Sequence, residues 1–294
     1  MDKIELSFVV AGAPKAASTS LVEALRPHPE IFLPSRKELS FFDREGCLER
    51  LSELEPHFEV AAPGQLCGEG TPWYMSSPRA ARYLAQLYPV LRVIFLLREP
   101  VAPAQSHYLH RVVRNAEYRS FAQALDDELS KLDTEDDGSR RNYLIPPGLY
   151  ASHIKTWQSH FRPDQIKIVL FEDLIGDPGR TLRSVQEHIG VTPHDLELPA
   201  ANRTQSVRAP GVGRLAAKLI LTQHWGKRLA KRMTPKAFRS WTVKTVAKLN
   251  SSDQKRPSLH LGDSQVAVLR EHFDPEIDEL ARLLERPLDS WRPG

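Results

Sequence analysis

Near its N-terminus the chain reads Leu6-Ser7-Phe8-Val9-Val10-Ala11-Gly12-Ala13-Pro14-Lys15-Ala16-Ala17-Ser18-Thr19-Ser20. After Ser7 the run to Ala11 is apolar without alternation, which fits a strand covered on both faces. Gly12–Ser18 breaks the run. Thr19–Leu25 then reads as a helix, closed by Pro27 and Pro29. Strand, glycine-bearing loop and helix form the opening unit of an α/β fold.

Two further units lie downstream. A helix over Pro78–Leu87 leads to a strand over Leu91–Leu97. That strand ends at Arg98, and Pro100 suits the first turn of a helix running to about Val113. A helix over Leu149–Phe161 leads to a strand over Ile166–Phe171 and a helix near Thr181–Ile189. Three buried strands separated by helices predict a P-loop-like, three-layer α/β/α fold with a central, mostly parallel sheet. Asp133–Arg141 reads as a polar surface loop.

Beyond Gly213, Leu215–Leu221, Gln223–Met233 and Lys236–Leu249 are helical patterns with basic faces. Leu259–Phe273 and Pro275–Leu284 read as two helices separated at Pro275. The expected organisation is one domain over 1–294. It comprises an α/β core over 1–200 and a basic loop with a helical extension over 201–294.

The 294 residues are 41% hydrophobic and 26% charged, which excludes a disordered tail, a collagen and a coiled-coil rod. A chain of this length buries enough surface to need no disulfides. Cys47 and Cys67 make no disulfide framework, although a single pair stays open. Read without that pair, the chain is expected in the cytoplasm. MDKIELSFVV lacks a basic n-region followed by an apolar h-region, so no signal peptide is expected. No apolar run approaches the length of a membrane span.

The net charge of +3 conceals a division. From Leu198 to Ser252 there is no Asp or Glu, while twelve of the 40 basic residues fall there. The rest of the chain carries 28 basic against 37 acidic residues. Such a segment suits a lid over an anionic ligand, attraction of an acidic acceptor, or contact with a membrane surface. Nucleic acid is not the expected partner, because no recognition motif accompanies the charge.

The loop after the first strand suits an anion. Backbone N–H groups face outward at a helix N-terminus. Lys15 adds a cation, and Ser18, Thr19 and Ser20 add hydroxyl donors. Taken alone, the same residues also describe a capped helix start beside a chance lysine. The loop is not a Walker A motif: the second glycine is absent and Lys15 precedes Ser18 by three positions.

These residues resemble the 5′-phosphosulfate loop of sulfotransferases that use 3′-phosphoadenosine 5′-phosphosulfate (PAPS), through Pro14, Lys15, Ser18 and Thr19. The resemblance implies that Lys15 touches the 5′-phosphate and the bridging oxygen of the leaving group. It also implies that Ala16, Ala17, Ser18, Thr19 and Ser20 hold the phosphosulfate. Arg98-Glu99-Pro100 with Ser106-His107-Tyr108 is similar to the family segment in which arginine and serine bind the 3′-phosphate. Many relatives carry a second arginine where this chain has Pro103. Gly148-Leu149-Tyr150 and the later Glu172-Asp173-Leu174 match structural parts of the family, with Glu172 and Asp173 bracing a helix start and Leu174 packing. The ending Leu280…Leu284…Leu288…Trp291 matches more weakly.

Sulfuryl transfer needs an in-line acceptor, a base for its proton, and stabilisation of the charge left on phosphate. Lys37-Glu38-Leu39-Ser40-Phe41-Phe42 resembles the K-E-x-x-F-F segment of the heparan and related carbohydrate-type sulfotransferases, whose glutamate is the general base. A bacterial member is compatible with the pattern. A carboxylate is a weak base at neutral pH. Burial beside Phe41 and Phe42 would strengthen Glu38, and Lys37 would oppose that. Lys37 and Glu38 alone also describe a solvated pair.

Gly68–Tyr74 is similar to the segment that builds the acceptor pocket. Glu69 would orient the acceptor or the base; Lys37, Trp73 and Tyr74 would line the pocket, with a core role equally open for the two aromatics. His107, beside Ser106, is the alternative base. Arg208, in a basic loop over Ser206–Arg214, is a further candidate for the 3′-phosphate. No tight His, Cys, Asp or Glu constellation suggests zinc, and the implied chemistry requires no metal. The implied product is adenosine 3′,5′-bisphosphate. The acceptor is a small-molecule, carbohydrate or lipid hydroxyl. The competing readings are a phosphoryl-transfer enzyme with an atypical P-loop and a non-catalytic nucleotide-binding module.

Overall fold

The structure is a computed structural model that describes residues 5–113, 117, 119–131, 143–199 and 261–292. Five strands form one sheet: β1 (Leu6–Gly12), β2 (Ile31–Phe32), β3 (Leu66–Gly70), β4 (Arg92–Leu97) and β5 (Ile166–Leu170). Their order is β2-β3-β1-β4-β5, and every pairing is parallel. Parallel strands need crossovers that cover both faces. The middle of the sheet is accordingly apolar: Phe8, Val9, Val10 and Ala11 of β1 and Val93–Leu97 of β4 are all buried.

Helices complete the outer layers. They are α1 (Ser18–Leu25), α2 (Glu55–Phe58), α3 (Pro78–Leu87), α4 (Val101–Val113), α5 (Phe121–Leu129), α6 (Tyr150–Gln158), α7 (Phe171–Gly176), α8 (Pro178–Ile189) and α9 (Asp263–Leu283). α1 and α8 contact each other and the sheet, while α3 contacts α6 and α9 packs on α6. Trp157 of α6 meets Phe95 of β4 edge-on and donates its indole N–H to the Met75 carbonyl. Local signals set the helix ends. Ser77 caps α3 by accepting from Ala80 N–H, and Asp177 caps α8 by accepting from Arg180 N–H. Gly190 closes α8 in the left-handed region.

The predicted α/β/α class, its three apolar strands and the helices between them are present. β2 and β3 are additions. β3 reads Leu-Cys-Gly-Glu-Gly, a composition poor in strand formers. Packing explains Gly68: a Cβ there would lie 2.1 Å from the Phe8 ring of the neighbouring strand.

The two helices predicted around Pro275 are one. α9 runs through Pro275 because Leu269, Phe273, Ile277 and Leu280 form one buried stripe across it. Pro275 itself faces solvent, so the hydrogen bond it removes is on the water side. Past the end of α9, Arg286 donates to both oxygens of Asp173 at 2.5 and 2.9 Å, joining the C-terminal part to the first turn of α7. Leu174 is fully buried, as its packing role requires.

β1 to α8 together with α9 pack as one compact unit. The basic helical patterns predicted from Leu215 to Leu249 and the Asp133–Arg141 loop lie outside the described residues. Cys47 and Cys67 are both free thiols. Among the described residues no helix is long and apolar enough to cross a membrane.

Candidate active site

The chain leaves β1, builds β3 on one side of it, then returns to build β4 on the other. The carboxyl end of β1 is therefore the point where the connections part, which opens a crevice suited to a ligand. The first loop occupies that place. Gly12 sits at φ 137°, and a Cβ there would lie 2.1 Å from the Leu96 carbonyl oxygen. The loop is pinned to β4 by Ala13 N–H, which donates to Leu96 O at 2.8 Å.

Lys15 and Ala17 both adopt left-handed backbone, at φ 64° and 68°. Left-handed residues interleaved in a turn gather successive N–H groups into a concave anion nest. Ala17 occupies the N-cap of α1 without a side-chain cap, so the first helical amides are left for a ligand. Lys15 and Thr19 are exposed, Ala17 and Ser20 are partly buried, and Ala16 and Ser18 are buried.

On the β3 side, Lys37 joins this loop to the candidate base. Its Nζ lies 3.4 Å from Ser18 Oγ and 2.9 Å from Glu38 Oε1. The Lys37 side chain is only 13% exposed, against 44% for Glu38. Lys37 thus lies between the anion loop and the carboxylate.

The segment after Lys37 is laced to β3 and its exit. Glu38 N–H donates to Gly70 O at 3.1 Å, and Leu39 N–H donates to Glu69 Oε1 at 2.8 Å. Ser40 N–H donates to Thr71 Oγ1 at 3.2 Å. The Tyr74 hydroxyl accepts from Phe41 and Phe42 N–H at 3.0 and 3.3 Å. Glu69 and Tyr74 are buried, and they hold the segment that bears Glu38 from behind. Tyr74 has no face open to an acceptor, because its ring is enclosed with Phe42. Trp73 is partly buried and meets His107 edge-on at 5.2 Å.

The β4 side carries Arg98 and Ser106. The Arg98 guanidinium lies over the Phe171 ring at 4.5 Å and makes no hydrogen bond or ion pair with a described residue. Its backbone oxygen accepts from the buried Tyr150 hydroxyl at 2.9 Å. Glu99 caps α4 by accepting from Val101 and Ala102 N–H, both at 3.0 Å. Arg270 of α9 donates to the same carboxylate at 3.0 Å. Ser106 sits on α4, partly buried; Arg208 lies outside the described residues.

Sequence reading did not find the Glu69–Leu39, Thr71–Ser40 and Tyr74–Phe41 pairings. They join residues some thirty positions apart through main-chain donors, which no residue pattern marks. Elsewhere, His28, Glu30 and His194 bring three ligand-type atoms within 4.8 Å of one another. His28 Nε2 is bonded to Thr192 O at 2.9 Å and Nδ1 to Glu30 N–H at 3.1 Å. With both ring nitrogens engaged, this cluster ties the turn after α1 to the chain beyond α8.

A parallel sheet thus carries an anion nest at its switch point, with a lysine–carboxylate pair on one side and an arginine on the other. Residues 61–195 match the sulfotransferase family model. The chain is similar to heparan sulfate glucosamine 3-O-sulfotransferase 3B1 of Mus musculus, at 29% identity over 187 residues, covering 62% of this chain and 45% of that protein. It is also similar to heparan sulfate glucosamine 3-O-sulfotransferase 6 of Homo sapiens, at 30% identity over 185 residues, covering 62% of this chain and 52% of that protein. The chain thus spans about half the length of these curated relatives. Its fold follows that of a sulfotransferase from Alicyclobacillus acidocaldarius, with TM-score 0.68, 21% identity and coverage of 99% and 100%. The likeness is thus a family match over residues 61–195, a partial match to the curated relatives and a shared fold.

Proposed function

We propose that this chain moves the sulfuryl group of PAPS to an acceptor hydroxyl, with Glu38 as general base and Lys15 stabilising the departing phosphate. The observation that carries this reading is the Lys37 bridge. It ties an exposed carboxylate to the anion loop through contacts of 2.9 and 3.4 Å. PAPS supplies the sulfuryl group and leaves as adenosine 3′,5′-bisphosphate.

The protein's own residues divide the remaining work. The amides of Lys15 to Ala17 and the hydroxyls of Ser18, Thr19 and Ser20 hold the phosphosulfate. Lys15 and the α1 amides take up negative charge on the leaving oxygen. Arg98, poised on Phe171, offers a planar fork of donors to the 3′-phosphate, and Ser106 on α4 adds a hydroxyl. Glu38 removes the acceptor proton as the new oxygen–sulfur bond forms. Arg208 joins the nucleotide contacts by resemblance alone.

The named relatives act on heparan sulfate glucosamine, which favours a carbohydrate hydroxyl here. The acid-free stretch from Leu198 to Ser252 adds attraction for an acidic acceptor. The test is incubation with PAPS and a panel of sugars, glycans, alcohols, phenols and lipids, read by mass spectrometry. The expected result is a sulfated carbohydrate with one adenosine 3′,5′-bisphosphate per product. Transfer of a phosphoryl group from ATP instead, or nucleotide binding without any transfer, would overturn the reading.

A further inference from the structure

The residues around Glu38 show a strain that the catalytic proposal does not use. Glu38 and Ser40 both adopt left-handed backbone, at φ 63° and 49°. Each costs on the order of 1–2 kcal/mol for a side chain with a Cβ, and such residues persist only where the surroundings over-determine them. Leu39 lies between them, and its N–H donates to Glu69 Oε1 at 2.8 Å. Glu69 belongs to β3 and is 1% exposed.

The same Oε1 accepts the Thr71 hydroxyl at 2.5 Å. Thr71 in turn accepts Ser40 N–H at 3.2 Å through its Oγ1. One buried carboxylate oxygen therefore orders both amides that follow the left-handed Glu38. Its other oxygen, Oε2, is buried without a hydrogen-bond partner. A buried carboxylate half satisfied in this way is costly, and an apolar residue would pack there more cheaply.

We propose that Glu69 is the positioning residue of the site: its carboxylate holds the left-handed turn that presents Glu38 to the anion loop, and neutralising it loosens that turn. This rests on Glu38 being the base. Glu69 does not touch the acceptor or the nucleotide; it acts through the Leu39 and Ser40 amides.

The electrostatic surroundings make the hold sensitive to pH. Burial pushes the Glu69 carboxyl up to about 7. Thr71, Leu39 N–H and the Lys37 ammonium pull it back down, and Asp43 adds to the rise. Tyr74 is the other titratable neighbour and is itself pushed up by burial, so it stays neutral. β1 faces Glu69 with Val9, which carries no charge. The anion is the holding form, so turnover should climb as pH rises through about 7.

Two variants test this, with one readout that does not need activity. In Glu69→Ala, amide hydrogen exchange across Leu39 and Ser40 should accelerate about tenfold or more, because the accepting oxygen is gone. Its kcat should fall about 100-fold, as expected for a misplaced catalytic group, while affinity for adenosine 3′,5′-bisphosphate stays within about threefold. Glu69→Gln keeps an accepting oxygen and guards against loss of folding in the alanine variant. Being neutral, it should let Leu39 exchange faster than in the wild type yet more slowly than in Glu69→Ala, and its kcat should stay at the wild type's low-pH level with no limb near pH 7. Unchanged exchange at Leu39 and Ser40 in Glu69→Ala would overturn the proposal, and so would a limb near pH 7 that persists in Glu69→Gln. If no acceptor is ever sulfated, the exchange arm still decides whether Glu69 holds the turn, and only the general-base reading falls.

Discussion

The two flanks of β1 solve the same problem differently. Each must hold a polar side chain at the crevice where the strand ends. On the β3 flank, the carboxylate Glu38 stands on a strained turn held almost wholly by neighbours in the N-terminal quarter of the chain: Gly70, Glu69, Thr71 and Tyr74. On the β4 flank, Arg98 is held by ring stacking on Phe171 and by Tyr150 at its carbonyl. The adjoining cap Glu99 is secured by Arg270, 171 residues later in sequence. The base side is braced locally through main-chain donors; the arginine side is braced by side chains from distant elements. Catalysis and nucleotide binding should therefore be separable by mutation.

The largest expected separation comes from Glu38→Gln. Removing a general base typically costs about 10²–10⁴-fold in rate. The proposed nucleotide contacts lie elsewhere, so binding of adenosine 3′,5′-bisphosphate by calorimetry should stay near the wild-type value. A Glu38→Gln enzyme with near-normal kcat would end the general-base assignment and move attention to His107. Next in size is Arg98→Ala, which removes charge-assisted bonds and should weaken adenosine 3′,5′-bisphosphate by roughly 10–100-fold. Arg98→Lys should not restore it, because a point charge lacks the planar fork. Equal affinity in both variants and the wild type would show that the 3′-phosphate is bound elsewhere.

Arg270 tests the distant brace. Its guanidinium donates to Glu99 at 3.0 Å and to the Trp291 carbonyl at 2.6 Å. Arg270→Ala should lower stability by about 2 kcal/mol, seen as a shift in urea midpoint, because two charge-assisted bonds are lost and Glu99 is left without its cation. Its effect on nucleotide affinity should be smaller than that of Arg98→Ala. If the order were reversed, α9 would be contributing to the nucleotide site directly.

The same contrast governs how much was legible in the sequence. β1, β4 and β5 announce themselves as apolar runs, and the anion loop follows from a strand, a glycine and a lysine in order. Arg98 stands out only through its resemblance to the family's strand-end segment, since an arginine before Pro100 by itself marks no more than the end of a strand. β3 was not, since its middle is Gly68-Glu69-Gly70 and only the Phe8 ring explains the first of these. In the sequence Glu69 reads equally as orienting the acceptor or the base, and Tyr74 equally as pocket wall or core. Their inward role depends on amides of Leu39, Phe41 and Phe42, and every residue but proline has such an amide. Pro275 misled for the opposite reason. A strong local signal for a break was overridden by Phe273 and Ile277 packing on either side.

The smallest effect bears on the cost of the β3 brace. Burial raises the Glu69 carboxyl to about 7, above its unfolded value near 4.5. The folded state therefore binds more protons than the unfolded state between those limits, and stability falls as pH rises through that window. From pH 6 to pH 8 this one group should remove on the order of 1 kcal/mol. Glu128, which accepts Leu144 and Ile145 N–H and is also raised to about 7 by burial, acts in the same direction. His188 is lowered by burial and opposes both at the acid end. The difference between wild type and Glu69→Gln isolates the one residue, since the other groups are common to both. Denaturant unfolding at pH 6 and pH 8 should show a shallower decline in Glu69→Gln than in the wild type. That would mean the turn under Glu38 is bought with fold stability at the pH where its carboxylate is charged. Parallel declines would mean that Glu69 is already ionised at pH 6, and that the hold on Leu39 costs the fold nothing across this range.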